Sequence, residues 1–385
     1  MMPRLRSVLG SVLLLGAVLS EAEGQDRRNE QFYFPGRFNW SWLRNYPEAA
    51  KLFNAFDYGH AVLYERLLTR SGTELTAALE KEFRFLTTDL LIRPPRFAVA
   101  EEAIEPTYAK LAWQAKQMFD WAHVLHRQIY DLYADERLAE AERDELIERV
   151  TDYYLSRTDY AFTPVPKSMA LMDEQSFSQG FRRGHPKFNG LIWAYHWLQV
   201  GLYEPLIAAQ TAADKKAGVQ TTLSRFWTML DDPPAHFPRV MPMTSTIAPA
   251  FSAGHPRAAV IFDNLHMMHD VVNDIMADER LSRSEKEVEI ERMRRNMGYA
   301  AQDVVIAPGM PMHGDHAMAE SAMRVPIRLP DGGWLPQGHP EARLASMEEL
   351  ALPMGAAPAT EEGPAMEHDR EPPGEAGHEH DGGAR

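Results

Sequence analysis

The chain has 385 residues, of which 45% are hydrophobic and 25% charged, so it can bury a sizeable core and form roughly one to three domains. It contains no cysteine, which excludes disulfides, thiolate zinc sites, iron–sulfur clusters and covalent c-type haem, so any metal must be held by His, carboxylate or Met. The formal charge is −15, but residues 301–385 carry 15 acidic and five basic side chains, and no basic patch indicates a nucleic-acid partner.

The N-terminal segment has the pattern of a secretory leader. A basic stretch at residues 3–6 precedes an apolar run over residues 8–19 and a small, polar end. We predict a signal peptide over residues 1–24, cleaved before Gln25, because the apolar run is too short to span a bilayer comfortably. Retention as an uncleaved anchor is the alternative. The mature chain is expected in the periplasm or outside the cell, without a membrane span.

One motif, Phe-Asp-x-x-His-x-x-His, occurs twice in the chain. Its copies are residues 119–126 and 262–269, and matches at the same offset continue downstream through a shared Ala-Asp-Glu-Arg-Leu. The Leu-Tyr-Glu at residues 63–65 also recurs, at an offset four residues shorter. Collinear matches of this length indicate an internal duplication. We predict two tandem repeats, residues 25–160 and 161–304, related by pseudo-twofold symmetry.

Hydrophobic spacing predicts an all-α fold with about four helices in each repeat, because apolar residues recur at three- and four-residue intervals and no alternating strand pattern is present. The predicted helices are 49–69, 74–91, 107–134 and 138–155 in the first repeat and 188–204, 221–230, 257–277 and 281–297 in the second. Asp135 and Asp278 are expected to start the helices that follow them. Ser282 and Glu285 predict a capping box.

The repeated motif places acidic and imidazole side chains on one helix face. Asp120 and His123 project together at i and i+3, and His126 lies about 60° further round the helix. Because one helix cannot enclose an ion, further ligands are expected from a neighbouring helix, where Glu65 and Glu204 are the candidates. The predicted metal ligands are Glu65, Asp120, His123, His126, Glu204, Asp263, His266 and His269.

The order of these residues resembles the ligand order of ferritin-like di-iron carboxylate proteins, in which a Glu helix and a Glu-x-x-His helix each occur twice around a bundle core. Asp stands in place of Glu in both short motifs here. The resemblance implies two metal ions near the pseudo-twofold axis, bridging carboxylates and oxygen chemistry. It makes iron the preferred divalent metal and leaves redox chemistry, storage and simple binding open as roles.

Two other interpretations of the repeated cluster stay open. One is a non-covalent haem or copper site that joins histidines of the two repeats. The other is a non-enzymatic scaffold in which buried Asp and His form hydrogen bonds that fix helix packing. His60 and His196 align with Gln199 and Asp57 rather than with each other, so we interpret these two histidines as packing residues.

The composition changes near the C-terminus. From about residue 305 the chain is rich in Pro, Gly, Met, Ala and Glu with little periodicity, which predicts a disordered tail over residues 305–385. Its Met and His residues, among them Met310, Met312 and His313, are suited to capture of copper. A protein partner of unidentified kind stays open.

Overall fold

The structure, a computed structural model, describes residues 40–231 and 241–300. The predicted signal peptide and C-terminal tail lie outside the described residues. Within them the chain is helical, and an isolated antiparallel bridge between Phe162 and Gly298 is the extent of strand-like pairing. The all-α prediction is therefore confirmed. No described helix combines the length and the apolar character that crossing a membrane requires.

Helices of very different lengths follow one another along the chain. Those before residue 160 are α1 (Trp40–Asn45), α2 (Pro47–Thr69), α3 (Gly72–Phe85), α4 (Glu101–Ile104), α5 (Pro106–Leu111), α6 (Trp113–Tyr133) and α7 (Glu140–Ser156). A π-helical turn, Leu86–Leu90, continues α3. The later ones are α8 (Ala170–Asp173), α9 (Gly180–Gly184), α10 (Pro186–Gly201), α11 (Tyr203–Ala208), α12 (Ala212–Asp231), α13 (Thr244–Ile247), α14 (Pro249–Gly254), α15 (Pro256–Ala277) and α16 (Arg283–Met297).

Four long helices, α2, α6, α10 and α15, form the centre of the fold. Helix α15 packs against α2 and α6, and α10 packs against α2. Every residue of α10 over 188–201 and of α15 over 258–276 is buried, as expected for helices surrounded by others. Helices α3, α7, α12 and α16 cover this centre from outside. Polar side chains on the buried stretches of the four central helices are therefore placed in the core.

The structure corrects two predicted helix boundaries. Residues 107–134 do not form one helix, because Ala112 leaves the helical region (φ −139°, ψ 54°) and separates α5 from α6. The short helix predicted over 221–230 is longer and covers all of α12. These differences shift where side chains point but leave the helical assignment unchanged.

The predicted helix starts have mixed outcomes. The capping box is confirmed, since the backbone N–H of Glu285 donates to the Ser282 side chain and that of Ser282 donates to Glu285 Oε2 at 2.7 Å. The prediction that Asp135 and Asp278 start helices is wrong, because α7 begins at Glu140 and α16 at Arg283. Both Asp side chains instead accept the backbone N–H two residues on, the local turn that competes with helix capping.

Asp274 ties α15 to the chain that leads into α10. Its buried carboxylate accepts the backbone N–H groups of Gln179 (2.7 Å) and Phe181 (3.0 Å) and two N–H groups of Arg182 (3.1 and 2.8 Å). Asp274→Ala is expected to lower the free energy of unfolding by about 1–3 kcal/mol, because two backbone amides lose their acceptor and Arg182 loses one of its two acidic partners, keeping Asp173. Urea denaturation measures the change. Asp214→Ala, at an exposed carboxylate, is the control, and equal losses in both variants would contradict this role for Asp274.

Candidate metal centre

Six histidines meet in the core, supplied by all four central helices. They are His60 on α2, His123 and His126 on α6, His196 on α10, and His266 and His269 on α15. Each is at most 2% exposed. Their rings pack directly on one another, with centroids 4.3 Å apart for His196 and His266 and 4.5 Å apart for His60 and His269. The imidazoles of the two predicted repeats therefore converge.

His60, His196 and His269 bring nitrogen atoms to one point, and we call them the three-histidine group. One ring nitrogen from each lies within 4.8 Å of the others, and the Nε2 atoms of His60 and His196 are 3.1 Å apart. His60 Nδ1 donates to the carbonyl oxygen of Phe56 at 3.1 Å. Because a carbonyl only accepts, the Nε2 of His60 carries the lone pair and faces the other two rings.

Burial keeps the three imidazoles neutral. It lowers the pKa of His60 to about 4, and it lowers the pKa values of His196 and His269 well below the ordinary value, with neighbouring histidines adding to the effect. The Nδ1 atoms of His196 and His269 have no hydrogen-bond partner. Neutral imidazole is the form that binds metal ions, so this group is ready to bind one at neutral pH.

Asp57, Glu101 and His123 form a second cluster, which we call the mixed group. The Nδ1 of His123 lies 3.7 Å from Asp57 Oδ1 and 3.9 Å from Glu101 Oε1, and the three donor atoms all lie within 4.8 Å of one another. Asp57 Oδ2 accepts a hydrogen bond from Arg127. Burial raises the pKa of Asp57 to about 6, although Arg127 opposes the shift. The mixed group could also hold an ion.

His126 and His266 lie beside these groups and are oriented by other side chains. His126 Nδ1 is 2.8 Å from the hydroxyl of Tyr203. His266 Nε2 is 3.1 Å from Gln199 Oε1, an acceptor, so the Nδ1 of His266 carries a lone pair, and that atom has no partner. We call the six core histidines together the histidine array. The rings of His126 and His266 stack within this array, but neither ring contributes a nitrogen to the three-histidine group or to the mixed group.

The two carboxylates of the repeated motif are engaged elsewhere. Asp120 forms an ion pair with Lys116, which lies one turn earlier on α6. Asp263 Oδ1 accepts the backbone N–H of Thr244 at 2.8 Å and its hydroxyl at 2.7 Å, so it caps α13. Burial raises the pKa of Asp263 to about 7, although the Thr244 hydrogen bonds oppose the shift. The motif therefore supplies its imidazoles to the array, while its carboxylates hold neighbouring structure.

The carboxylates of Glu65 and Glu204 each reach the start of a short helix other than their own. Glu65 accepts the backbone N–H of Thr107 at 2.9 Å and its hydroxyl at 2.7 Å, at the start of α5. Glu204 accepts the backbone N–H of Ala250 at 3.0 Å, at the start of α14. In both cases the carboxylate satisfies an otherwise unpaired helix N–H.

We expect Glu65→Ala and Glu204→Ala to leave metal content unchanged and to lower the free energy of unfolding by about 0.5–2 kcal/mol each, the usual cost of a lost helix cap. Metal analysis and urea denaturation on the same preparations check both halves of this prediction. Loss of bound metal in either variant, with the helical circular dichroism retained, would show that these carboxylates are ligands.

Four residues of the two groups are absent from the predicted ligand set, and they are Asp57, His60, Glu101 and His196. A signal for two of them was present in the sequence, since Phe-Asp-x-x-His also occurs at 56–60. His196 aligns with Asp57 in the sequence, and both side chains are buried. Glu101 carries no comparable signal, because it lies on the short helix α4.

No protein-family model, curated protein or solved structure matches this chain.

Proposed function

We propose that this protein binds a transition-metal ion through the three-histidine group. The observation that carries the proposal is the convergence of three buried, neutral imidazoles from three different helices on one point. The Nδ1 atoms of His196 and His269 have no hydrogen-bond partner, and a buried polar nitrogen without a partner costs about 1–3 kcal/mol. The Nε2 atoms of His60 and His196 share one hydrogen bond, which an ion bound to one nitrogen of each ring would replace.

The spacing of the nitrogens suits an ion. Two imidazole nitrogens bound to one ion at about 2.0–2.1 Å lie about 3.3–3.6 Å apart for tetrahedral or trigonal angles. The 3.1 Å between His60 Nε2 and His196 Nε2 is a hydrogen-bond distance, and the two rings need to separate only by a few tenths of an ångström to reach this range. The hydrogen bond from His60 to Phe56 also orients its ring in the way that outer partners orient metal-bound histidines.

The ligand type narrows the metal. Neutral imidazole suits zinc, copper, iron and nickel, whereas magnesium and calcium prefer oxygen. The preference for iron rested on carboxylates in the repeated motif, and Asp120 and Asp263 are engaged with Lys116 and Thr244. The three-histidine group by itself therefore favours an imidazole-binding transition metal without selecting iron among them.

The packing of the rings disfavours haem between these histidines. Two axial imidazoles must lie on opposite faces of a porphyrin, which requires a flat slot between them. His196 stacks on His266 at 4.3 Å, and His126 stacks on Phe262 at 3.5 Å between centroids. Rings this close leave no room for a macrocycle between them. We therefore propose direct ion binding rather than a haem site.

We further propose that residues 25–160 and 161–304 are copies of one duplicated unit in an exported protein. Aligned positions make like contacts, which supports the duplication. Glu65 accepts the backbone N–H of Thr107, and the aligned Glu204 accepts that of the aligned Ala250. In the same way, Asp131 accepts the backbone N–H of Trp42, and Asp274 accepts that of Phe181.

The proposal of export rests on the leader pattern in the sequence. Detection of the mature chain outside the cytoplasm, beginning at Gln25, tests it.

Metal analysis of the full chain purified without an affinity tag tests the proposed function. We expect a stoichiometric transition metal, either as purified or after reloading and buffer exchange, and one ion fewer in His60→Asn/His196→Asn protein. No retained metal after reloading would refute metal binding and favour a structural role for the array. An unchanged metal count in the double variant would show that His60 and His196 are not ligands.

A further inference from the structure

The mixed group has a geometry that its own hydrogen bonds do not explain. His123 is 2% exposed, and neither ring nitrogen has a hydrogen-bond partner. Its Nδ1 faces two carboxylate oxygens at 3.7 and 3.9 Å, which is too far for hydrogen bonds. It is close to the spacing of about 3.4–3.6 Å that two donors take when they share an ion at 2.0–2.2 Å.

The surroundings of the mixed group also carry too few positive charges. Four acidic side chains are packed together in this region, two of them Asp57 and Glu101, and the bases among them are Lys116 and Arg127. The other two acids are Glu105 and Asp120. Burial raises the pKa of Glu101 well above its ordinary value, and Asp120 and Asp57 add to the shift, so without an ion this carboxyl holds its proton. A divalent cation at the mixed group would replace that proton with the positive charge that the surroundings lack.

Asp57 has one oxygen available for such an ion. Its Oδ2 is engaged by Arg127, whereas its Oδ1 is buried and has no hydrogen-bond partner. This division lets one carboxylate hold the guanidinium on one side and serve as a ligand on the other. The mixed group therefore presents two carboxylate oxygens and one imidazole nitrogen.

We propose that Asp57, Glu101 and His123 bind a second divalent cation beside the first, so that the core holds a two-ion centre. The His123 ring lies 5.5 Å from that of His269 and 6.2 Å from that of His60, which makes the groups neighbours. The two-ion centre rests on the proposed function, but the mixed group can bind its ion independently. Mixed oxygen and nitrogen ligands suit iron, manganese and zinc.

The second repeat lacks an equivalent set. By the sequence offsets, the counterparts of Asp57, Glu101 and His123 are His196, Thr244 and His266. Thr244 is hydrogen-bonded to Asp263. The carboxylate pair therefore belongs to the first repeat, and the two ions have unlike surroundings, with nitrogen around one and mainly oxygen around the other.

Zn²⁺ titration of the full chain by calorimetry, with the metal content measured after buffer exchange, tests the second site. Glu101→Gln is expected to bind one Zn²⁺ fewer than the unmodified protein, while Glu105→Gln is expected to bind the same number. Glu105 is the matched control, because it is a buried acid four residues away with no atom in the mixed group. Any Zn²⁺ held by the tail contributes equally to all variants.

The outcomes separate this inference from the proposed function. An unchanged count in Glu101→Gln, or an equal loss in Glu105→Gln, would overturn the second site. His269→Asn reports on the three-histidine group alone, so an unchanged count there would overturn the proposed function and leave the second site standing. If circular dichroism shows that Glu101→Gln does not fold, His123→Asn takes its place, with the same loss of one ion expected.

Discussion

Replacing His269 with Asn is expected to weaken metal binding at the three-histidine group by more than about 100-fold. Even partners that only orient a ligand are typically worth 10–100-fold in affinity, and this change removes a ligand. The His269 ring contacts those of His60 and Phe119, with centroids 4.5 and 4.1 Å away, so the change also alters the packing. Competition with a chelator of known affinity measures the loss.

His185→Asn is the matched control for His269→Asn. His185 precedes α10 as its N-cap, a position that Asn suits well, and it is not a member of either group. Affinity should therefore be unchanged. Full affinity in His269→Asn, or equal weakening in both variants, would contradict the assigned ligands.

Metal retention is expected to persist on acidification to about pH 5 and to fall below about pH 4. At a histidine site with ordinary pKa values, metal affinity begins to fall below about pH 6.5, because protons compete for the ring nitrogens. Burial lowers the pKa of His60 to about 4 and that of His266 to about 3, so the array stays unprotonated through that range. Metal content after equilibration across pH 3–8 checks the prediction, and a release midpoint near 6.5 would contradict it.

The stability of the metal-free protein is a poorer readout of this pH dependence. Between the unfolded pKa near 6.5 and the lowered pKa of His60, only the unfolded chain takes up the proton, so stability falls as the pH falls. Asp263 and Asp270, with pKa values raised to about 7 by burial, hold protons only when folded, so their contribution falls as the pH rises. The opposite signs partly cancel in the same window.

The helices were largely predictable because their apolar spacing is strong and their ends carry local signals. Pro47, Pro186 and Pro256 each stand in the first turn of a central helix, and Ser282 caps α16 as its sequence indicates. The break at Ala112 was not predictable, since neither Pro nor Gly marks it. Asp135 and Asp278 show why a helix start cannot be predicted from one residue: an Asp side chain can cap a helix, but it can also accept a backbone N–H within a turn, as both do here.

The site was only partly predictable. A sequence repeat identifies residues that are equivalent in the two copies, whereas a binding group is formed by residues that are close together in the folded protein. His123 and His269 came from the matching motif, and both donate a nitrogen to a group. His60 aligns with Gln199 and His196 aligns with Asp57, so the sequence repeat did not identify either histidine as a ligand. Burial in the centre of the fold brings their Nε2 atoms within 3.1 Å, which no spacing along the chain reveals.

Crystallography of the metal-loaded protein, with anomalous diffraction at the absorption edge of the bound metal, locates the ion. We expect an anomalous peak within about 2.0–2.2 Å of one nitrogen each from His60, His196 and His269. A stoichiometric ion bound elsewhere, with these three imidazoles only in contact with one another, would contradict it.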